Sequence, residues 1–542
     1  MEYNLADLWE TIVDAVPERE AFVADERRLT FAQADERATR LAHALAARGV
    51  GAGDHVGLYL YNGTEYLEAM FAAFKIRAVP VNVNYRYVED ELRYLLDDSN
   101  AKAVIFHREF APKLAAIRDE LPALGAYLAV DDGSAGDLGP LDAVDYEQAL
   151  ADASPTRDFE PRSADDHYIL YTGGTTGMPK GVMWRHEDIF FGALGGGGAV
   201  NPISTPEEIA ERAIAGGLRC LPACPFMHGT AHWMALNTIF TGGSVVIDTD
   251  RHMDPVHIWQ LVATEAVTFL VIVGDAMGRP LVEAIEHLDP SIDLSGLTML
   301  LSGGAILSPS VKRQLAARLP STMVLDGIGS SEAGGQGQML ATKDGEIPSQ
   351  PRFAMTPENT VLDDDLRPAA VGVVGKLARR GHIPLGYYND PEKTAATFPV
   401  VDGERWSIPG DHARIESDGT ITVLGRGSVS INTGGEKVYP EEVEGALKAN
   451  AGVFDAVVVG VPDQHWGERV VAVVQARAGE QPSFADLDAQ VRRSIAGYKV
   501  PRDVVFVEKI VRSPSGKPDY RWAKTVATQH LLPRDPDTVP AP

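Results

Sequence analysis

Cysteine is nearly missing from this chain. Only Cys220 and Cys224 occur in 542 residues, and their C-x3-C spacing has no second Cys or His pair to complete a zinc site. Both therefore read as reduced thiols. Long apolar runs are missing too: the longest, around residues 267–273, is far short of the roughly 20 residues that cross a bilayer. The N-terminus, MEYNLADLWETIVDAVPERE, is acidic and has no signal-peptide core. Basic residues are outnumbered, 49 Lys and Arg against 76 Asp and Glu, for a net charge of −27. That balance argues against nucleic acid or an anionic membrane as the main partner, since both call for a basic surface. It leaves room for anionic ligands, because a local cluster of Lys, Arg and backbone N–H groups binds phosphate whatever the total charge. The expectation is a soluble cytoplasmic protein.

What is present is an ordinary globular composition, 45% hydrophobic and 23% charged, in a chain too long for one compact core. Residues 55–61, 78–83 and 101–106 read as strands, and 64–76 and 88–96 as helices. That alternation is the mark of parallel α/β layers. It returns with a strand at 297–301, a helix opened by Ser308-Pro309 as N-cap and first-turn proline, and a strand at 322–325. A stretch rich in glycine and small polar residues at 425–435 then interrupts the pattern. Beyond it, a helix runs from Tyr439-Pro440 to Leu447, strands lie at 456–460 and 470–475, Ser483 caps a helix towards Ile495, and 504–507 is a strand. The chain is divided accordingly into an N-terminal domain, 1–426, a smaller C-terminal domain, 427–531, and a proline-rich tail, 532–542. It shows no internal repeat.

Residues 168–171 read as a short apolar strand and lead into TGGTTGMPKG, residues 172–181. Gly173, Gly174 and Gly177 let the backbone turn tightly and aim N–H groups inward. Thr172, Thr175 and Thr176 add hydroxyls, and Lys180 adds positive charge. Together they form a cradle for a polyphosphate. The Walker A order is missing, since Met178-Pro179 separates Gly177 from Lys180; this counts against a P-loop kinase or GTPase.

YTGGTTGMPKG resembles the signature of the adenylate-forming superfamily, which includes acyl-CoA synthetases, peptide-synthetase adenylation domains and beetle luciferases. Further motifs follow in that family's order over nearly the whole chain. SGGAILSP, 302–309, resembles the adenine-side loop, with Gly303, Gly304 and Ala305 passing the base. DGIGSSEAG, 326–334, resembles the family's Y-G-x-T-E segment. This implies that Asp326, Gly327 and Ile328 adjoin the nucleotide, that Ser331 lies near the α-phosphate, and that Glu332, with Thr172, holds Mg²⁺, a hard cation suited by oxygen ligands. WSIPGDHARIESDG, 406–419, resembles the segment whose aspartate, here Asp411, accepts from both ribose hydroxyls; Arg426 matches an arginine placed nearby. GRGSVSINTGGEKVYPEEVE, 425–444, resembles the hinge and the coenzyme A side. It puts the hinge at Ser428, Gly434 and Gly435 along the pantetheine path, and Lys437 as a basic residue reaching the nucleotide. RSPSGKPDY, 512–520, resembles the segment whose lysine, here Lys517, bridges the carboxylate and the α-phosphate. The implied catalytic residues are thus Lys517, Glu332 and Thr172. Three positions depart from the family: Gly174 replaces a serine, Ile328 an aromatic residue, and Ser428 an Asp or Lys.

The resemblance implies an α/β fold: a large N-terminal domain of layered subdomains with a smaller β-barrel-like part, and a small mobile α+β C-terminal domain. It implies ATP, Mg²⁺ and coenzyme A, a small-molecule carboxylic acid, and room for a homodimer. LPACPFMHGTAHW, 221–233, falls where the family builds its acid pocket and brings Phe226, Met227, His228 and Trp233. It lacks the aspartate with which amino-acid-activating relatives pair the substrate ammonium, so an apolar acid is expected. The glycine-rich GALGGGGAV, 192–200, reads as a lid, as room for a bulky acid, or as plain loop. The motifs look closest to bacterial fatty-acid and steroid side-chain acyl-CoA synthetases. The alternatives are an acyl-AMP ligase loading a carrier protein, although no carrier segment follows, and a luciferase-like oxygenase or a non-catalytic nucleotide-binding module.

Overall fold

The structure, a computed structural model, describes residues 1–172, 178–198, 200–341, 348, 351–433, 436–463, 466–513 and 516–531. Its N-terminal part is built on a thirteen-stranded sheet. Six neighbours in it are parallel, in the spatial order Glu20–Ala24, Ser244–Ile247, Arg219–Pro222, Phe269–Ile272, Met299–Ser302 and Met323–Ser330. They read as short continuous apolar runs, such as the fully buried FLVI of Phe269–Ile272, because both faces are covered. The helices Gly229–Ile239, Pro255–Thr264, Gly274–Ile285 and Pro309–Arg318 make the crossovers. The ladder continues through antiparallel strands to Arg352–Met355, Ile421–Arg426, Asp411–Ile415, Val374–Arg379 and Asn359–Leu362. This is the part for which a barrel-like shape is expected. A second, wholly parallel sheet holds Val79–Asn82, His55–Tyr59, Ala101–His107, Ala126–Val130 and Val144–Asp145.

The C-terminal part has its own core. In the hairpin Val453–Asp463 and Gly467–Ala476 the apolar residues divide by period two. Ala456, Val458, Val470, Ala472 and Val474 pack under the helices Pro440–Lys448 and Phe484–Ser494. Val457, Val459, Val471 and Val473 pack under Tyr520–Leu531 on the other face. Ser483 caps its helix through a capping box with Asp486, as its sequence predicts. Ser308 holds the N-cap position of Pro309–Arg318, but its side chain does not cap. Instead its backbone N–H donates to Asp275 at 2.7 Å and its hydroxyl lies 3.1 Å from that of Ser310. Cys220 and Cys224 are free and buried, and burial pushes the Cys224 thiol up to about 12. Among the described residues, no helix is long and apolar enough to cross a membrane.

Candidate active site

An open parallel sheet binds ligands outside the carboxyl ends of its strands, where the strand order reverses. Here the reversal falls at Arg219–Pro222, whose two neighbours, Ser244–Ile247 and Phe269–Ile272, follow it in the chain but flank it on opposite sides. A cleft of about 1960 Å³ opens there, larger than the roughly 300–1,000 Å³ of a pocket for one small ligand. It is lined by segments following four parallel strands and, from the C-terminal part, by Lys517.

Thr172 and Lys180 are cross-strand partners in the hairpin of His167–Thr172 and Lys180–Arg185. This pairing brings both ends of the glycine-rich loop to the cleft. Gly173, Gly174, Thr175, Thr176 and Gly177 themselves lie outside the described residues. The Lys180 ammonium pairs with the Asp390 carboxylate and holds it below the usual carboxylate range.

Gly303, Gly304, Ala305, Gly327 and Ile328, expected at the nucleotide, all line the cleft. Gly304 has φ +80°, and a Cβ there would stand 2.8 Å from Thr230 Oγ1; only glycine fits. Asp326 is buried against Lys312. Burial, opposed by the Lys312 charge, raises its carboxyl to about 6. Asp326 to Ser330 belong to a strand paired with Gly334–Ala341, so Ser331 and Glu332 stand at a hairpin tip. Trp184 Nε1 donates to Ser331 O at 3.1 Å, Ser407 Oγ donates to Glu332 O, and Tyr387 Oη donates to Glu332 Oε1 at 2.8 Å. Across the cleft, Asp411 and Arg426 are register partners with Nε and Oδ1 3.5 Å apart.

Lys517 reaches this group from the C-terminal part. It is solvent-accessible because it faces the open cleft, yet protein surrounds that cleft. The loss of bulk water lowers its pKa, Arg426 lowers it further, and Glu332 and Asp411 partly offset both. His228 stands at the N-cap of Gly229–Ile239, with Nε2 shut from solvent and without a hydrogen-bond partner. Burial first, then the Lys517 charge, lowers its imidazole to about 3, so it is neutral at physiological pH.

Met227, His228 and Trp233 line the cleft beside Leu218, Met234 and Phe269. Phe226 does not join them. It is fully buried and packs on Tyr66 with ring centroids 5.6 Å apart, so it belongs to the core. Lys437 is exposed on Glu436–Val438 and is not among the residues lining the cleft; its charge helps lower the pKa of the neighbouring His412. Ser428 lies in the 3-10 turn Gly427–Val429. Gly434 and Gly435 lie outside the described residues.

Several supports carry no sequence motif. Asn82, from the second sheet, donates to Tyr171 O and Met227 O, both at 2.8 Å, and accepts from Tyr171 N at 2.7 Å. It thereby ties the strand His167–Thr172 to the 221–233 segment. Trp233 Nε1 donates to Tyr168 Oη at 2.8 Å, and Tyr168 pairs in turn with His232. Asn82 and Tyr387 belong to no motif, so tertiary contact alone reveals them; Tyr168 and Thr230 lie in segments the sequence singles out, but their partners do not show there.

Comparison with known proteins identifies the family. The AMP-binding enzyme family matches residues 9–388, and the AMP-binding enzyme C-terminal domain matches residues 442–517. A 3-oxocholest-4-en-26-oate–CoA ligase of Rhodococcus rhodochrous is 50% identical over 537 residues, covering 97% of this chain and 96% of that one. A medium/long-chain-fatty-acid–CoA/3-oxocholest-4-en-26-oate–CoA ligase of Mycolicibacterium smegmatis is 46% identical, covering 98% and 97%. In fold, the chain matches the crystal structure of the anthranilate CoA ligase AuaEII in complex with anthranoyl-AMP, with a TM-score of 0.84 at 23% identity, covering 98% of this chain and 99% of that one. The cleft residues, the ordered motifs and these matches together make the chain a member of the AMP-binding enzyme family, with both of its domains.

Proposed function

We propose that the protein is an ATP-dependent acyl-CoA ligase acting on an apolar carboxylic acid. The observation that carries this reading is the meeting of Lys517 with Glu332, Asp411, Arg426 and His228 in one cleft that has an apolar end. In the first half-reaction the carboxylate oxygen attacks the α-phosphorus of ATP. An acyl–oxygen–phosphorus bond forms, and pyrophosphate leaves with its bridging electron pair. Lys517 is placed to neutralise charge as phosphorus is attacked, and Thr172 and Lys180 bring the glycine loop to the leaving pyrophosphate. In the second half-reaction the coenzyme A thiol, releasing its proton to solvent, attacks the acyl carbonyl; the acyl–oxygen bond breaks, AMP leaves and the thioester forms.

The acceptor-only carboxylate of Glu332 and the hydroxyl of Thr172 face the same cleft, a donor set that fits a hard cation. These two residues would hold Mg²⁺, which would supply positive charge to phosphate oxygens. Asp411 takes the ribose, with Arg426 beside it. Rotation near Ser428 exchanges residues 427–531 between the two steps over the body formed by 1–426, and the motif resemblance assigns Gly434 and Gly435 to the coenzyme A side. The cytoplasm, which supplies ATP and coenzyme A, is the place of action. Assembly as a homodimer is checked by sedimentation.

Met227, Trp233, Leu218, Met234 and Phe269 give the cleft apolar lining, and the 221–233 segment carries no carboxylate to pair an ammonium. This supports medium- to long-chain or ring-bearing acids, the kinds named for the Rhodococcus and Mycolicibacterium relatives. Profiling acids by pyrophosphate release tests the reading: such acids should exceed acetate and amino acids in kcat/KM. A higher value for any free amino acid contradicts it. Offering coenzyme A against a carrier protein separates the ligase from a carrier-loading enzyme.

A further inference from the structure

Lys517 is useful only while the C-terminal part is held over the cleft, and one buried ion pair across the boundary stands out. Lys448, the last residue of Pro440–Lys448, is 4% exposed, and its Nζ lies 3.3 Å from Asp275 Oδ2 in the N-terminal part. Asp275 is 5% exposed. It also accepts from Ser308 N at 2.7 Å and from Arg279 at 3.2 Å. Burial pushes its carboxyl up, but Lys448 and Arg279 outweigh that and hold it near 2. Glu444, one turn before Lys448, is also buried and accepts from Val458 N at 3.0 Å.

The helix that carries Asp275, Gly274–Ile285, is also the seat of the Lys517 loop. Gly516 has φ +73°, and a Cβ there would meet Val273 at 3.2 Å and Ala276 at 3.5 Å. Within the C-terminal part, Arg512 fixes that loop by donating to Gly516 O at 2.8 Å and to both Asp455 oxygens at 2.7 Å. A second cross-boundary pair, Arg477 with Glu283 on the same helix, is 2.6 Å long but half exposed, so solvent screens it. A buried pair is different: solvent does not screen it, and removing one partner leaves the other charge buried and uncompensated in the docked arrangement.

We propose that Lys448 is a positioning residue for acyl-AMP formation: its buried pairing with Asp275 latches the C-terminal part in the arrangement that puts Lys517 in the cleft. The inference rests on the ligase reading. It differs from a purely structural role because the latch serves one half-reaction and must open for the other.

The test uses the full chain with Lys448→Met and Lys448→Arg, and with Asp275→Asn, which breaks the same pair from the N-terminal side. Lys448→Met and Asp275→Asn should lower the rate of acid-dependent pyrophosphate release roughly tenfold or more, with KM for ATP little changed. Thioester formation from supplied acyl-AMP should keep its rate, and Lys448→Arg should retain most of the first half-reaction. Equal loss in both half-reactions, no loss in either, or a methionine variant that does not fold while Asp275→Asn keeps full adenylation would overturn the proposal. A substrate-free readout separates this from failure of the ligase reading itself. Amide exchange at Gly516 and Lys517 should quicken in Lys448→Met, and unchanged exchange contradicts the latch even if no acid is ever found to release pyrophosphate.

Discussion

At the scale of single residues, the site works by placing a few groups that each have one physical task. Glu332 sits at a hairpin tip, with Tyr387 on its Oε1 and Ser407 on its backbone carbonyl, so its carboxylate is aimed before any ligand arrives. Glu332→Gln keeps the shape and removes the charge. It should raise the Mg²⁺ concentration needed for pyrophosphate release and slow that release, with melting unchanged; unaltered kinetics at limiting Mg²⁺ would make Glu332 a bystander. Gly304 is fixed by geometry. Alanine there would take a left-handed backbone, costing about 1–2 kcal/mol, and would press on Thr230. KM for ATP should rise in Gly304→Ala while thioester formation from supplied acyl-AMP is largely spared. His228 is held neutral, since its imidazole is lowered to about 3. A lowered histidine loses its proton well below neutrality, so the pH profile of adenylation should show no step near 6.5 that His228→Gln abolishes.

At the scale of elements, much of the fold is legible where a local signal coincides with the tertiary outcome. Ser483 with Asp486 predicts a helix start and makes one, and the apolar run at 269–272 becomes a buried parallel strand. The signal fails where a distant partner decides. Ser308 reads as a side-chain cap, but Asp275, from another crossover helix, takes its backbone N–H. Phe226 and Met227 are equally apolar neighbours, and only the packing on Tyr66 sends one into the core and leaves the other in the cleft. Nor does sequence show that Asp326 to Ser330 extend a strand, since their glycines and serines read as a turn. The start of Pro440–Lys448 adds a pH-dependent element. Glu441 Oε2 is shut from solvent without a hydrogen-bond partner beside Gly425, and burial together with the Glu444 charge pushes its carboxyl up to about 8. Asp411 of the N-terminal part adds to this rise, so docking contributes to it, and a carboxyl raised by docking favours the docked arrangement at low pH. That advantage falls as pH rises and is gone above about 8. Single-turnover pyrophosphate release should therefore decline as pH rises towards 8, and Glu441→Gln should flatten the decline.

At the scale of the whole molecule, two bodies with separate cores share one cleft. The larger supplies most of the cleft wall; the smaller brings Lys517 beside Arg426, Glu332 and Asp411. A single small domain cannot present Lys517 and the thiol path to the same spot at once, so the account requires it to move between steps. The family motifs made the membership of Glu332, Asp411, Arg426 and Lys517 in one site readable in advance. The boundary that holds them together, through Lys448 and Asp275, was not readable, because neither residue belongs to a motif. The most direct measurement is paired: pyrophosphate release with acid and ATP but no coenzyme A, and thioester formation from synthetic acyl-AMP, each in the parent protein and in Lys517→Ala. The account predicts both activities in the parent with an apolar acid, a loss of about 10²–10³ in the first for Lys517→Ala, and a second half-reaction close to the parent rate. Equal slowing of both halves, or no acid-dependent pyrophosphate release in the parent, would contradict it.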